Sequence, residues 1–184
     1  DQHYDTISAF IKSVRGSDVD SALHYLARML EGGEDPRFIA RRLILLASED
    51  IGLADPTALS LAVAAHDSVS LIGMPEGRIP LSEVTIYLAL APKSNSGYLA
   101  INKALADVRG GFSPSIPAAL RSNYLARGEL DGAYQYPHDD PRSVVSQEYA
   151  IGVPDYFIPK EAGFEKGLVE RWALLKKIIR AKKA

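Results

Sequence analysis

The spacing of apolar residues predicts helices along most of the first 110 residues. Between residues 4 and 15 an apolar side chain recurs every three or four positions, at Ile7, Phe10, Ile11 and Val14. This spacing places them on one face of a helix. Gly16 ends the pattern, Ser17 or Asp18 can cap a second helix, and Gly32-Gly33 stops that one. Residues 1–33 are therefore predicted to form a helical hairpin.

Two Asp-Pro pairs, Asp35-Pro36 and Asp55-Pro56, predict the next two helix starts. An Asp side chain accepts a free N–H at the N-cap, and Pro fits the first helical position because no donor is needed there. The apolar pattern carries the first of these helices to about residue 51 and the second to about residue 72. Both segments are rich in Ala and Leu, which favour helices.

Two further helices are predicted before residue 110. Pro80 starts the first and Pro92 ends it. The second extends from Ser94 to Val108, with an apolar stripe at Tyr98, Ile101, Leu105 and Val108. Gly110-Gly111 closes it.

The pattern fades between residues 112 and 164, where six prolines and several tyrosines accumulate. We predict a short helix at residues 118–127 and otherwise an irregular loop, in which tyrosines such as Tyr134, Tyr136 and Tyr149 could form a small β-hairpin. A last helix is predicted over residues 165–184. From Glu165 onward the chain has seven Lys or Arg against two Glu. The predicted fold class is all-α, a helical bundle with one long Tyr/Pro-rich loop.

Composition narrows the functional classes. The 184 residues include no cysteine, carry a net charge of -2 and are 47% hydrophobic, as in ordinary globular domains. Disulfides and thiolate metal sites are excluded. No apolar run approaches the roughly 20 residues that a membrane helix needs. We expect a cytoplasmic protein with no membrane partner and no general attraction to nucleic acid.

Catalytic signatures are missing from the sequence. The phosphate-binding pattern GxxxxGK[ST] and the nucleophile pattern GxSxG do not occur. His138, Asp139 and Asp140 form the nearest approach to a metal cluster, which leaves a metal-dependent enzyme as a minor alternative. The more ordinary interpretation is that Asp140-Pro141 forms a turn and His138 fixes a loop. We expect no catalytic, cofactor or metal site in this chain.

Two charged clusters are candidates for binding. Glu49, Asp50 and Asp55 form an acidic patch where one helix ends and the next begins, which is unfavourable with the helix dipole. A cation must offset it, either from this chain, with Lys93 and Arg15 as candidates, or from a neighbouring subunit. The basic C-terminal helix could bind DNA phosphates or an acidic peptide, although positive charge also stabilises a helix C-terminus.

Three strings resemble a known family: ISAFIKSVRGSD at 7–18, ARRLILLASEDIGLADP at 40–56 and LALAPKSN at 88–95. YQYPHDDP at 134–141 also resembles its tyrosine-rich loop. The family is RarA/MgsA, known as replication-associated recombination protein A in bacteria and as Werner-helicase-interacting ATPase in eukaryotes. The resemblance covers nearly the whole chain.

The resemblance implies a DNA-dependent AAA+ ATPase related to clamp loaders, with ATP and Mg bound by an upstream domain. It further implies that residues 1–33 continue from the ATPase lid region and that residues 34–184 form a collar-like oligomerisation domain. The implied partners are a homotetramer of this chain, single-stranded-DNA-binding protein and DNA forks, in a nucleoid-associated setting. Candidate interface or partner-binding residues are Arg15, Ser17, Asp18, Arg41, Arg42, Glu49, Asp50, Asp55, Lys93, Asn95, Tyr134, Tyr136, His138, Asp139, Lys176, Lys177 and Arg180.

Overall fold

A computed structural model describes residues 1–122 and 134–182, and within them the fold is all-α, as predicted. The helices are α1 Gln2–Arg15, α2 Val19–Glu31, α3 Pro36–Leu46, α4 Thr57–Ile72, α5 Arg78–Leu90, α6 Ser96–Arg109 and α7 Lys166–Ile179. A π-helical turn, Ala47–Ile51, extends α3 and is followed by a 3-10 turn, Gly52–Ala54. Further 3-10 turns are Ala118–Leu120, Pro137–Asp139 and Gly163–Glu165.

The predicted caps account for the starts of the early helices. The Asp18 carboxylate accepts from Ser21 N at 2.9 Å, and the Asp35 carboxylate accepts from Arg37 N at 2.9 Å. The Asp55 carboxylate accepts from Thr57 N at 3.1 Å, so it caps α4 although Pro56 separates it from the first helical residue. These bonds satisfy N–H groups that a helix leaves free at its start.

Three predicted boundaries are wrong. Helix α5 begins at Arg78 rather than Pro80, because a proline is tolerated anywhere in the first helical turn, where its missing N–H breaks no bond. Helix α6 begins at Ser96 rather than Ser94, whose side chain is engaged elsewhere. Helix α7 ends at Ile179, and residues 180–182 are not helical.

The Tyr/Pro-rich segment is irregular where it is described, and residues 134–182 contain no strand. The side-chain amide of Gln147 accepts from Gln135 N at 3.2 Å and donates to Gln135 O at 2.8 Å. These two bonds join residues 135 and 147 without a strand ladder. The predicted helix at 118–127 is a 3-10 turn over its first residues, and 123–127 lie outside the described ranges.

One hydrophobic core joins helices α1 to α5. It includes Phe10 from α1, Leu26 from α2, Leu43 from α3, Ala62 from α4 and Leu88 from α5, all nearly or fully buried. Replacing a buried leucine such as Leu43 by alanine would cost about 2–5 kcal/mol. Helices α1 and α2 share this core with α5. The division of the chain into two domains at residue 33 stays a prediction.

Helices α6 and α7 lie outside that core. The only buried residue of α6 is Ser96 at its first position, and α7 has none. Both helices are attached to the body through polar contacts near residues 94–96 and 160–165. This attachment is therefore a candidate functional site.

Candidate functional site

Three segments meet where α6 and α7 join the body, and we call this place the polar junction: residues 47–56, 91–96 and 160–165. Ser94 N donates to Asp50 O at 2.8 Å, which joins the first two segments. Glu165 in the third segment bonds to Ser94 and Ser96 in the second. Two of the strings that carry the family resemblance therefore lie against each other at the junction.

Glu165 is the centre of the junction. It is fully buried, and its carboxylate accepts from Ser96 Oγ at 2.8 Å, from Ser94 Oγ at 3.1 Å and from Lys160 N. A buried carboxylate is tolerated when its oxygens are hydrogen-bonded in this way. The carboxylate and its donors satisfy one another's hydrogen bonds. The arrangement therefore holds α7 in place, and its role is structural.

Two glycines allow the segments to approach closely. Gly163 has φ +52°, and a Cβ built there would collide with Ala54 O and lie 2.8 Å from Pro92 Cγ. Gly52 has φ +50°, and its Cβ would lie 3.2 Å from Ser94 O. Only glycine adopts this backbone and leaves this space without strain.

One carboxylate of the acidic patch, Asp50, is paired with a cation of the same chain. Arg15 Nε donates to the Asp50 carboxylate at 2.8 Å, and this bond raises the pKa of Arg15. Lys93 Nζ lies within 3.1 Å of Ser17 Oγ and donates to Ala89 O at 2.8 Å. Partial burial lowers the pKa of Lys93. Four of the sequence candidates, Arg15, Ser17, Asp50 and Lys93, therefore form one cluster beside the junction.

The remaining sequence candidates lie outside this four-residue cluster. The second oxygen of Asp55 accepts from the hydroxyl of Tyr87, a bond that raises the pKa of Tyr87. Asn95 accepts from Lys160 Nζ at the junction. Arg41 is exposed on α3, and the half-buried Arg42 has no hydrogen-bond partner for Nε in the part of the chain that the structure describes. Asp18 is used as a cap, and Glu49 is half-buried in the π-helical turn.

The basic end of α7 forms a separate cluster. Lys176 Nζ and Arg180 Nη1 approach the Asp155 carboxylate at 3.4 and 3.2 Å. The hydrogen bond from Lys176, together with the charges of both cations, holds the pKa of Asp155 below its usual value. Both cations also lie over the Trp172 ring, 5.7 and 5.6 Å from its centroid. Lys177 is exposed. Two predicted cations are thus already paired with a carboxylate that sequence reasoning did not select.

The Tyr-His-Asp segment shows turn chemistry. The Tyr136 and His138 rings lie 5.1 Å apart, and Tyr134 and Asp139 are exposed. The Asp140 carboxylate accepts from Arg142 N at 2.8 Å, so Asp140 closes a turn, and its pairing with Arg142 lowers its pKa. Within residues 1–122 and 134–182 no group of three His, Cys, Asp or Glu side chains is arranged to hold a metal ion.

The exposed apolar side chains are concentrated on three helices. On α4 and α5 they include Leu59, Val63, Ile79, Ile86 and Leu90; on α6 they are Tyr98, Leu99, Ile101, Leu105 and Val108. Apolar side chains that adjoin one another on the surface of a folded chain are characteristic of protein interfaces. Among the described residues, no helix combines the length and apolar character that crossing a bilayer requires.

Sequence reasoning missed Glu165, Ser94, Ser96, Asp155 and Trp172. Glu165 lies 69 and 71 positions from its serine partners, so no local pattern connects them. A weak signal existed for Trp172, because aromatic and basic residues at i and i+4 share a helix face.

Residues 16–176 match the family described as MgsA AAA+ ATPase C terminal. The chain belongs to this family.

Individual relatives agree. An AAA domain-containing protein of Mycobacterium tuberculosis is 54% identical over 100% of this chain and 42% of its own length. Replication-associated recombination protein A of Bacillus subtilis is 46% identical over 96% of this chain and 44% of its own length. The ATPase WRNIP1 of Dictyostelium discoideum is 41% identical over 81% of this chain and 18% of its own length. The chain thus spans less than half the length of these relatives, and the predicted resemblance to RarA/MgsA is confirmed.

Proposed function

We propose that this chain is the homo-oligomerisation and partner-binding part of a DNA-dependent AAA+ ATPase that acts in replication-fork maintenance, recombination and repair. ATP and Mg would be bound by an ATPase domain upstream of Asp1. The whole protein would act in the cytoplasm, near the nucleoid. The observation that carries the proposal is the exposed apolar surface on α4, α5 and α6 of a chain from this family.

The total surface area supports assembly. The chain exposes 11762 Å², whereas a compact monomer of 20.0 kDa would expose about 8,700 Å². The excess of roughly 3,000 Å² is enough for more than one standard interface, each of which buries about 800 Å² per partner. Part of the exposed surface comes from the apolar side chains of α4, α5 and α6, and a separate chain with such exposed apolar surface would tend to associate.

The distribution of the apolar surface favours a tetramer over a dimer. Exposed apolar side chains lie on α4 and α5 and also on α6, and we take these as two separate surfaces. Two different self-complementary patches on one chain generate a tetramer with three two-fold axes, while one patch generates only a dimer. Such an assembly would raise the effective concentration of attached ATPase domains for one another and for DNA.

Light scattering coupled to size-exclusion chromatography tests the proposal. We expect a mass near four times 20.0 kDa at tens of micromolar. A mass of one chain throughout that range would contradict the oligomerisation function. The complete gene product should be measured beside this chain, because further contacts outside residues 1–184 could add to the assembly.

A second function, binding of single-stranded DNA at the end of α7, is favoured by the cluster of Lys176 and Arg180 around Trp172. Cations bind phosphates and an indole stacks on bases.

Asp155 competes for both cations, so Asp155→Asn should strengthen binding at low salt. Charge reversal of Lys176, Lys177 and Arg180 should weaken it and flatten its salt dependence. Unchanged affinity for single-stranded DNA in both variants would contradict this function. If the chain bound only an acidic single-stranded-DNA-binding protein, then binding of that protein, and not of DNA, would be the function of this cluster.

A further inference from the structure

The apolar stripe predicted on α6 is exposed. Tyr98, Ile101, Leu105 and Val108 retain 42, 55, 39 and 59% of their accessible surface. Each of these side chains would gain from burial, by about 1.5–3 kcal/mol for a residue of leucine size that goes from exposed to fully buried. In the part of the chain that the structure describes, nothing buries this face, so its burial needs a partner other than the described residues.

The spacing specifies the kind of partner. The stripe alternates steps of three and four residues and continues in step to Phe112, just beyond the helix end. This is the a and d spacing of a helix that packs along a second helix. Gly97 and Ala104, which flank the stripe on one side, are small, and this allows two helix backbones to approach closely. A helix, rather than an irregular peptide or a nucleic acid, fits this surface.

The opposite face of α6 contacts the chain's own C-terminal segment. Tyr156 OH donates to the Asp107 carboxylate at 2.8 Å, and Lys103 Nζ lies 6.0 Å from the centre of the Tyr156 ring. At 100° per residue, Lys103 and Asp107 lie across the helix from the stripe. The chain's own C-terminal segment therefore packs on one side of α6 and leaves the other side free.

We propose that the stripe packs against the same stripe of a second copy, with the two α6 helices antiparallel about a two-fold axis near residue 103. This proposal rests on the oligomerisation function above. In this arrangement Ile101 faces Leu105 of the other copy and Tyr98 faces Val108, so that the largest side chain opposes the smallest. Parallel pairing would instead put the two Tyr98 rings against each other. Antiparallel helices also align their dipoles favourably.

Charge substitution tests the surface. We expect Ile101→Glu and Leu105→Glu to lower the mass in light scattering by half, because a tetramer loses one of its two interfaces. Leu99→Glu is the matched control: Leu99 is on the same helix and 52% exposed, but it lies off the stripe. It should leave the mass unchanged. Circular dichroism of each variant reports whether the helices are intact.

The outcomes separate this inference from the oligomerisation function. If the natural chain is itself monomeric, the oligomerisation function fails. If the natural chain is oligomeric and both stripe variants keep its mass, only the α6 pairing fails. A loss of mass in Leu99→Glu as large as in Leu105→Glu would also overturn the pairing, because the stripe would then have no special role.

Cysteine cross-linking tests the direction and does not depend on a destabilising variant. The sequence has no cysteine, so an introduced one reports a single position. Tyr98 and Val108 lie about 15 Å apart along the helix, whereas a disulfide needs Cα atoms about 6 Å apart. We expect disulfide dimers when Tyr98→Cys and Val108→Cys chains are mixed and reassembled, and few with either variant alone. Efficient dimers from Tyr98→Cys alone would overturn the antiparallel arrangement, and no dimers in any sample would overturn the pairing.

Discussion

Gly163 is the residue on which the attachment of α7 depends most. Its backbone is in the left-handed region, and an added methyl group would collide with Ala54 O and Pro92 Cγ. Backbone strain alone costs about 1–3 kcal/mol for a non-glycine residue, and the collision adds to it. We expect Gly163→Ala to lower the free energy of unfolding by at least about 3 kcal/mol, measured by urea denaturation at fixed concentration.

Gly167 provides the control for that substitution. It lies four residues further along, inside α7, and a Cβ there would meet no heavy atom within 4 Å. Alanine is the better helix former, so Gly167→Ala should be neutral or stabilising by up to about 1 kcal/mol. Equal losses in the two variants would show that the junction does not depend on the close approach at Gly163.

At the scale of single residues, contacts between residues that are distant in sequence were only partly predictable from the sequence. The need for a cation at the acidic patch was predictable, because carboxylates at a helix end are unfavourable, and Arg15 was one of the two named candidates. The burial of Glu165 was not predictable. It looks like an ordinary charged residue at a helix start, and only the folded chain brings Ser94 and Ser96 to it.

Helix caps make a prediction at the scale of the elements. Hydrogen bonds from Ser21 N and Arg37 N lower the pKa values of Asp18 and Asp35 in the folded chain. The folded pKa values lie below those of the unfolded chain, so the stabilisation is present above pH about 4 and is lost as pH falls through the folded values. Asparagine caps as well as aspartate but does not titrate.

We therefore expect the double variant Asp18→Asn, Asp35→Asn to match the natural chain at pH 7 and to lose less stability between pH 5 and pH 2.5 (about the range over which aspartate titrates). Urea unfolding across this pH range measures the difference. Identical acid sensitivity in the two proteins would mean that these caps contribute nothing to the acid response of α2 and α3.

Most elements were predictable, and α6 shows why their packing was not. Periodicity and caps located all seven described helices, with errors of two residues at the starts of α5 and α6 and with α7 predicted to extend beyond its end at Ile179. The stripe at Tyr98, Ile101, Leu105 and Val108 was predicted from its spacing, and in the folded chain it is exposed. A periodic pattern states that a face needs a partner, but it does not state whether that partner belongs to the same chain.

The thermodynamics of the whole molecule follow from that unpartnered surface. If association buries the apolar faces of α4, α5 and α6, it stabilises the folded chain and not the unfolded one, so the unfolding temperature must rise with protein concentration. We expect the thermal midpoint to increase steadily from about 1 to 100 µM, and Leu105→Glu to reduce that dependence while Leu99→Glu preserves it. Differential scanning calorimetry at several concentrations measures both effects. A midpoint independent of concentration would mean that the chain is stable alone and that its exposed apolar surface serves a different partner.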